Sequence, residues 1–211
     1  ISLVAGIFII RQFMKSFRSK SGVADVVVGG KYALVKKIGE GGMGVVYQAL
    51  DKTLGRKVAI KQLRGEIDIK KKAKEKLLEE ARTVAHLHHP NIVEIYTIIE
   101  EGKDLYLVFE YVKGVTLAEV LASGGRIPFR DARRIFSEIC RGLDYAHSHN
   151  FVHRDLKPSN IMISSAGFVK IMDFGVARPA TEVMRGGRVS ISGTPGYMAP
   201  EQGQGVSRRE A

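Results

Sequence analysis

The sequence predicts an α+β fold with two lobes, in which a β-rich part precedes a mainly helical part. Short runs of β-branched and aromatic residues, separated by glycines and charged turns, dominate positions 31–112. From position 113 onwards, apolar residues recur at helical spacing instead. A chain of 211 residues is long enough to build two small lobes with a hydrophobic core.

Five strands and one helix are predicted before position 113. The strand-like runs are Tyr32–Val35, Val45–Tyr47, Lys57–Lys61, Ile92–Ile99 and Leu105–Tyr111. Between the third and fourth runs, a charged stretch carries Leu77, Ala81 and Val84 at helical spacing. This pattern predicts an amphipathic helix inserted between two strands.

Two helices are predicted after position 113. Thr116 with Glu119 three residues later is a capping box, which opens a short helix through Leu121. Pro128 marks the start of a longer helix that runs towards His149. The predicted buried face of that helix consists of Ile135, Phe136, Ile139, Cys140 and Leu143. Residues 151–201 are predicted to be mostly loop.

The first thirty residues differ in composition from the rest. Residues 1–10 are mostly apolar, and four basic residues follow them: Arg11, Lys15, Arg18 and Lys20. Such a boundary is typical of the cytoplasmic end of a membrane helix, although a full span needs about 20 residues. Residues 1–14 are thus either the end of a transmembrane helix or an unrelated apolar helix. In the first case, residues 15–30 form a juxtamembrane linker and the rest is cytoplasmic, as in a single-pass membrane protein.

Composition and charge narrow the class of protein. Cys140 is the single cysteine, so an internal disulfide framework is excluded and a reducing compartment is expected. The formal charge of +11 favours anionic partners. The lysines cluster without interleaved aromatic residues, at Lys70, Lys71, Lys72, Lys74 and Lys76. A solvated helix face explains this cluster more simply than a nucleic-acid site, so no nucleic-acid partner is expected.

A glycine-rich segment lies between the first two predicted strands. Gly39, Gly41 and Gly44, followed by Val45 and Val46, form a G-x-G-x-x-G-x-V pattern. Glycines let backbone N–H groups approach phosphates without a Cβ clash. The strand–turn–strand context argues against a dinucleotide-binding turn, which precedes a helix. A plain tight hairpin stays an alternative at this point.

Lys61 ends the third predicted strand. A lysine there is usually a solvated edge charge, whereas a buried one needs a carboxylate partner. On the following helix, Glu80 shares a face with Leu77 and Val84, and Glu79 does not. Helical periodicity therefore predicts Glu80 as the partner of Lys61.

The most specific motifs are HRDLKPSN at 153–160 and DFG at 173–175. With the glycine loop and Lys61 before them, residues 31–201 resemble the eukaryotic-type serine/threonine protein kinases. The resemblance implies the bilobal kinase fold, with the N-lobe and hinge at 31–112 and a partial C-lobe at 113–211. It also implies that ATP and Mg²⁺ are required.

The resemblance further implies a role for each motif residue. Asp155 accepts the proton of the substrate hydroxyl, and Lys157 stabilises the transferring phosphoryl group. Lys61 holds the α- and β-phosphates and pairs with Glu80. Asn160 and Asp173 are the implied magnesium ligands. A pseudokinase is disfavoured, because neither of the catalytic aspartates is lost.

The implied ATP site extends to the connection between the lobes. Phe109 is the implied gatekeeper, Glu110 and Val112 offer backbone groups to adenine, and Ala59 and Met162 sandwich the base. The implied ATP-contacting residues are Ile38, Gly39, Gly41, Gly44, Val46, Ala59, Lys61, Phe109, Glu110, Val112 and Met162.

The segment after Asp173 resembles a kinase activation segment. Lys157 and the Gly193-Thr194 pair resemble serine/threonine rather than tyrosine kinases, so serine and threonine hydroxyls of proteins are the implied substrates. Ser190 is the predicted phosphosite, with Ser192 beside it as a further polar residue. Thr194 is implied to contact the catalytic aspartate, and a homodimer is the expected route to autophosphorylation.

The implied phosphate contacts are Arg154, Arg178 and Lys76. Glu201 is expected to need an arginine from the helical base of the C-lobe. The chain starts with Ile1 and ends at Ala211, so we expect a fragment of a longer protein that is weakly active alone. The sequence of Ala199–Gln202 resembles the corresponding segment of bacterial receptor-type kinases.

Overall fold

The structure is a computed structural model and describes residues 26–41, 44–63, 71–124, 126–174 and 195–198. The predicted membrane segment and most of the predicted linker lie outside these ranges. So do Ser190, Ser192, Thr194 and Glu201. None of the helices in the described ranges has the length and apolar character that crossing a bilayer requires.

The described strands of the N-terminal lobe are β1 (Val27–Val28), β2 (Tyr32–Gly41), β3 (Gly44–Asp51), β4 (Arg56–Leu63), β5 (Ile95–Glu101) and β6 (Asp104–Glu110). They form one antiparallel sheet with the strand order β1-β2-β3-β4-β6-β5. Residues 26–30, which the sequence assigns to the linker, instead begin this sheet: Val28 pairs with Tyr32 and is fully buried.

The predicted strand Ile92–Ile99 starts three residues too early, because β5 begins at Ile95. The reason lies in the other lobe. Ile92 forms a parallel bridge with Ile171, and the Val93 N–H donates to the Ile171 carbonyl at 2.9 Å. These residues use their backbone groups to join the two lobes and not to extend the strand.

Helix α1 (Lys71–Ala85) packs against β5, as the amphipathic pattern predicts. Ala81, Val84 and the following Leu87 are buried in one cluster that also contains Ile95 and Leu107. The apolar stripe of α1 therefore faces the sheet, and its C-terminal end leads into the segment that contacts the second lobe.

In the described residues, the elements of the C-terminal lobe are β7 (Gly114–Thr116), α2 (Leu117–Ala122), α3 (Phe129–Ser148), β8 (Ile161–Ser164) and β9 (Val169–Ile171). The three strands form one sheet in the order β7-β8-β9. Short 3₁₀ turns occupy Pro158–Asn160 and Pro195–Tyr197. The predicted capping box is confirmed: Thr116 Oγ1 accepts from the Glu119 N–H at 3.1 Å, and the Glu119 side chain accepts from the Thr116 N–H.

The predicted buried face of α3 is wrong for two residues. Ile135 and Ile139 are buried and Leu143 packs on the same cluster, but Phe136 is 66% exposed and Cys140 is exposed. Within the described residues, the stripe that contacts β9 and the Asn91 segment instead includes Glu138, Gly142 and Ala146. Apolar periodicity does not detect this stripe, because it contains a carboxylate and a glycine.

Candidate active site

The glycine-rich segment forms the hairpin between β2 and β3. Gly39 pairs with Val46 and Gly41 pairs with Gly44. At Gly44, φ is +139°, and a Cβ would lie 2.0 Å from the Gln62 carbonyl oxygen of β4. Glycine is therefore required at this position, and β2 and β3 pair antiparallel as the predicted hairpin requires.

Lys61 projects from β4 towards the second lobe. Its Nζ lies 2.8 Å from Oδ1 of Asp173, and the lysine side chain is 12% exposed. The sequence predicts Glu80 as the partner of Lys61. Glu80 belongs to α1, but its side chain lies outside the described part of the structure. A charged group at this depth requires a carboxylate, and Asp173 supplies it here.

Asp155 is held by two side chains of its own loop. Lys157 Nζ lies 2.9 Å from Asp155 Oδ2, and Asn160 Nδ2 donates to the same oxygen at 3.2 Å. The Asn160 amide also donates to the Asp155 backbone carbonyl at 2.8 Å. Because Asn160 is 6% exposed, these bonds fix the loop from inside. The structure thus brings together the three polar residues that the motif selects.

His153 joins this loop to the segment containing Asp173. Its Nε2–H donates to the Met172 carbonyl at 2.8 Å, and its Nδ1 accepts from the Asp155 N–H at 3.3 Å. The Met172 N–H in turn donates to the Asn160 carbonyl at 2.8 Å. Both ring nitrogens of a neutral histidine are thereby used. The positions of Asp155 and Asp173 are coupled through one ring and one peptide unit.

Backbone conformation also marks the site. Arg154 and Asp173 have φ of 63° and 55°, in the left-handed region that non-glycine residues rarely adopt.

Helix α3 ends in a Schellman motif at Asn150, which has φ of 62°. In this motif the Phe151 N–H donates to the Ala146 carbonyl, and the Asn150 N–H donates to the His147 carbonyl. This ending directs the chain into residues 151–157, the loop that carries Asp155.

The buried rings of His153 and Phe174 pack against each other beneath the loop that carries Asp155. The His153 and Phe174 ring centroids are 4.6 Å apart, and these residues are 2% and 3% exposed. Phe174 belongs to the same core cluster as Val84 and Ile95. The core therefore runs continuously from α1 through β5 to the segment that carries Asp173.

Residues of the candidate adenine site lie in β2, β4, β6 and β8. Ala59 pairs with Phe109 across β4 and β6, while Met162 lies in β8 opposite Lys170 of β9. Ile38 of β2 is 44% exposed. Lys170 was not among the residues that the sequence selects, although it contacts the predicted hinge: its Nζ lies 2.6 Å from Oε2 of Glu110. In the sequence, Lys170 could have been singled out because it is a charged residue between two apolar residues, Val169 and Ile171, which the structure buries.

Asn160 and Asp173 fit a magnesium ion. The side-chain nitrogen of Asn160, Nδ2, donates its hydrogen bonds to Asp155. The side-chain oxygen, Oδ1, is therefore the atom that would bind a metal. Asp173 offers a carboxylate, of which Oδ1 contacts Lys61. Magnesium prefers oxygen ligands and is commonly held by one or two protein groups plus substrate phosphates. Two oxygen donors beside a lysine match that requirement.

The protein kinase domain family matches residues 32–208 of this chain. The chain therefore belongs to the protein kinase domain family. Its similarity covers both lobes, including the glycine hairpin and the two loops that carry Asp155 and Asp173.

Among the curated relatives, the chain is 42% identical over 187 residues to the serine/threonine-protein kinase PknA of Mycobacterium tuberculosis, and this match covers 85% of the chain and 43% of the relative. It is 40% identical over 196 residues to the probable serine/threonine-protein kinase PknB of Bifidobacterium longum, covering 85% and 28%. For PrkC of Bacillus subtilis the identity is 38% over 178 residues, covering 84% and 28%. The chain thus spans less than half the length of these relatives.

Two solved structures show the same fold. The kinase domain of Mycobacterium tuberculosis PknI superposes with a TM-score of 0.65 at 26% identity, over 82% of this chain and 73% of that one. Rad53 residues 1–466 in complex with AMP-PNP superposes with a TM-score of 0.62 at 30% identity, over 69% and 38%. The predicted α+β bilobal kinase fold is confirmed.

Proposed function

We propose that the protein containing this chain transfers the γ-phosphoryl group of Mg-ATP to serine and threonine hydroxyls of other proteins. The observation that carries this proposal is the meeting of Lys61, Asp155, Lys157, Asn160 and Asp173 at the junction of the lobes. Phosphoryl transfer needs little covalent chemistry from a protein, since positioning and charge neutralisation supply most of the acceleration. These five side chains provide cations, metal ligands and a base.

Each group has a defined part in the transfer. The substrate hydroxyl oxygen attacks the γ-phosphorus, its proton passes to Asp155, and the bond to the bridging oxygen of ADP breaks. Lys157, whose Nζ lies 2.9 Å from Asp155 Oδ2, would neutralise charge on the transferring group. Lys61 can neutralise the phosphates that remain on ADP. Magnesium held by Asn160 and Asp173 would offset charge on the β- and γ-phosphates.

The relatives support the choice of substrate class. PknA and PrkC are named as serine/threonine-protein kinases, and the Rad53 structure contains an ATP analogue. The direct test uses the full-length protein with γ-labelled ATP, magnesium and peptides that differ only in serine, threonine or tyrosine. Label on serine and threonine peptides, lost when magnesium is chelated, supports the proposal. Label confined to tyrosine, or none at all, would refute it.

We further infer that the full-length protein is anchored in a membrane by a helix that ends within residues 1–14, with the kinase domain in the cytoplasm. The supporting observation is the apolar run at residues 1–10 followed by basic residues. Full-length protein with its native upstream sequence should sediment with membranes and leave them only in detergent. Recovery in the soluble fraction would reject the anchor.

We also propose that the protein phosphorylates its own activation segment at Ser190, with two copies acting on each other. Arg154 directly precedes the catalytic aspartate, and Arg178 follows Asp173 by five positions. A phosphate of charge near −2 on the segment could form charge-assisted hydrogen bonds with such cations. Lys76 shares a helix with Glu80, so these contacts would link order in the segment to the nucleotide site.

A further inference from the structure

Glu110 and Lys170 form an ion pair between the two lobes. Lys170 Nζ lies 2.6 Å from Glu110 Oε2, and the residues are 60 positions apart in the sequence. Glu110 is the last residue of β6, and Lys170 is the middle residue of β9. Their side chains are 25% and 17% exposed, so solvent screens this pair less than it screens a surface pair.

The surroundings of Lys170 place it beside the adenine site. Met162 is its direct partner across β8 and β9, and opposite residues of an antiparallel pair project from the same face of the sheet. The lysine stem therefore lies on the face that carries Met162, while its ammonium reaches the hinge. The same ammonium contacts the Ile92 carbonyl at 3.4 Å.

Glu94, a second acid near the hinge, contacts a different side chain. The Glu94 carboxylate contacts His88 Nδ1 at 3.3 Å, and its backbone carbonyl accepts from the Glu110 N–H at 2.9 Å. The carboxylate that holds Lys170 is thus that of Glu110. Removal of either partner leaves a partly buried charge without its counter-charge, which is more costly than removal of both.

We propose that Glu110 and Lys170 are positioning residues that set the distance between the hinge backbone and Met162, and thereby the affinity of the site for the adenine base. The hinge and Met162 belong to different sheets, so the height of the slot between them depends on how the lobes are held. This inference rests on the proposed function for the identity of the nucleotide. The residue that it adds to the site is Lys170, whose ammonium contacts Glu110 and the Ile92 carbonyl.

The test compares nucleotide fragments that occupy different parts of the site. In the full-length protein, Glu110→Gln and Lys170→Met should each raise the Kd for adenosine and for Mg-ATP by about three- to tenfold, the range that about 0.7–1.4 kcal/mol of lost interaction gives. Affinity for magnesium tripolyphosphate should stay at the wild-type value, because that probe does not reach the hinge. KM for ATP should rise while kcat stays within about twofold.

Two further variants separate positioning from general stability. Lys170→Arg keeps the charge and should restore most of the adenosine affinity. The double variant Glu110→Gln/Lys170→Met should bind adenosine at least as tightly as the single variant of lower affinity. The reason is that each single variant already removes the same ion pair. Lys103→Met changes an exposed lysine in the turn between β5 and β6 and serves as the control, with unchanged affinities.

Three results would overturn the inference: additive losses in the double variant, equal losses of adenosine and tripolyphosphate affinity, or wild-type adenosine affinity in Glu110→Gln. Glu110→Gln conserves side-chain size, so it keeps the test decisive if Lys170→Met fails to fold. Failure of the proposed function is distinguishable, because binding is measured without transfer. Wild-type protein that binds Mg-ATP but transfers nothing would refute only the kinase activity.

Discussion

Lys61 and Asp173 are 112 residues apart in the sequence, yet Nζ of the lysine lies 2.8 Å from Oδ1 of the aspartate. One residue belongs to the sheet of the first lobe and the other follows β9 of the second. The pair therefore spans the junction between the lobes. It also combines the cation expected at the phosphates with a ligand expected for magnesium, so one ion pair links the two roles.

This pair predicts a specific loss of activity. In the full-length protein, Lys61→Met should lower kcat/KM for phosphoryl transfer by about 10²–10³-fold, because a preorganised charge at the reacting group is removed. Asp173→Asn should lower transfer similarly and shift the magnesium dependence to higher concentrations. Lys57→Met, at an exposed position of the same strand, is the control and should retain activity. Wild-type kinetics in Lys61→Met would contradict the assignment.

Glu138 is predicted to stabilise the contacts of α3 with β9 and with the segment that contains Asn91. Its buried carboxylate accepts from Asn91 Nδ2 at 3.2 Å, from the Val169 N–H at 2.9 Å and from Arg134 Nη1 at 2.8 Å. Glu138→Gln should lower the free energy of unfolding by about 1–3 kcal/mol, as expected for a buried charged hydrogen-bond acceptor.

Urea denaturation measures this change. Asp144→Asn, at an exposed position of the same helix, should leave the unfolding midpoint unchanged. Equal midpoints for Glu138→Gln and the wild type would show that the network does not contribute to stability.

His89 predicts a pH dependence of stability. Burial, followed by the charges of Arg141 and Lys170, lowers the pKa of His89 below its ordinary value of about 6.5. Its Nδ1 accepts from the Asn91 N–H at 3.1 Å, and its ring stacks on Tyr145. Folding thus favours the neutral ring. The resulting stability is complete above pH 6.5 and is lost as the pH falls from there towards the lower folded-state pKa.

Urea midpoints at pH 7.5 and pH 5.5 test this direction. The wild type should lose more stability on acidification than His89→Gln, whereas His147→Gln, an exposed substitution on α3, should behave like the wild type. A His89→Gln protein with the full acid sensitivity of the wild type would show that another group is responsible.

Phosphorylation of Ser190 is predicted to activate the full-length protein. Ser190→Ala should lower kcat by about tenfold or more, since a charge-assisted hydrogen bond contributes about 1.5–3 kcal/mol and 1.4 kcal/mol corresponds to tenfold. Ser192→Ala is the neighbouring control. Mass spectrometry of active protein should find phosphate on Ser190. An unmodified Ser190 together with full activity of the alanine variant would leave it an ordinary polar residue.

Much of the fold could be predicted because short-range rules decide it. The capping box at Thr116 and the helix start at Pro128 depend on neighbouring residues, and both are present. Asp155, Lys157 and Asn160 lie within six positions of one another, so their meeting follows from a single loop.

Features that depend on contacts between the lobes escaped prediction. The start of β5 at Ile95 depends on pairing of the preceding residues with Ile171, which is distant in sequence. The Glu138 carboxylate can be buried because it accepts hydrogen bonds from Asn91 Nδ2 and the Val169 N–H. These partners are distant in the sequence, so no local pattern predicts them. The same holds for Lys170, whose partner Glu110 lies in the other lobe.

The central claim is that Asp155 acts as the base in phosphoryl transfer while other residues bind the nucleotide. The most direct test measures transfer and Mg-ATP binding in parallel for the full-length wild type, Asp155→Asn and the exposed control Asp131→Asn. For Asp155→Asn, the rate should fall by about 10²-fold or more, with the Kd of Mg-ATP within about twofold of the wild type. Transfer by Asp155→Asn at close to the wild-type rate would contradict this account.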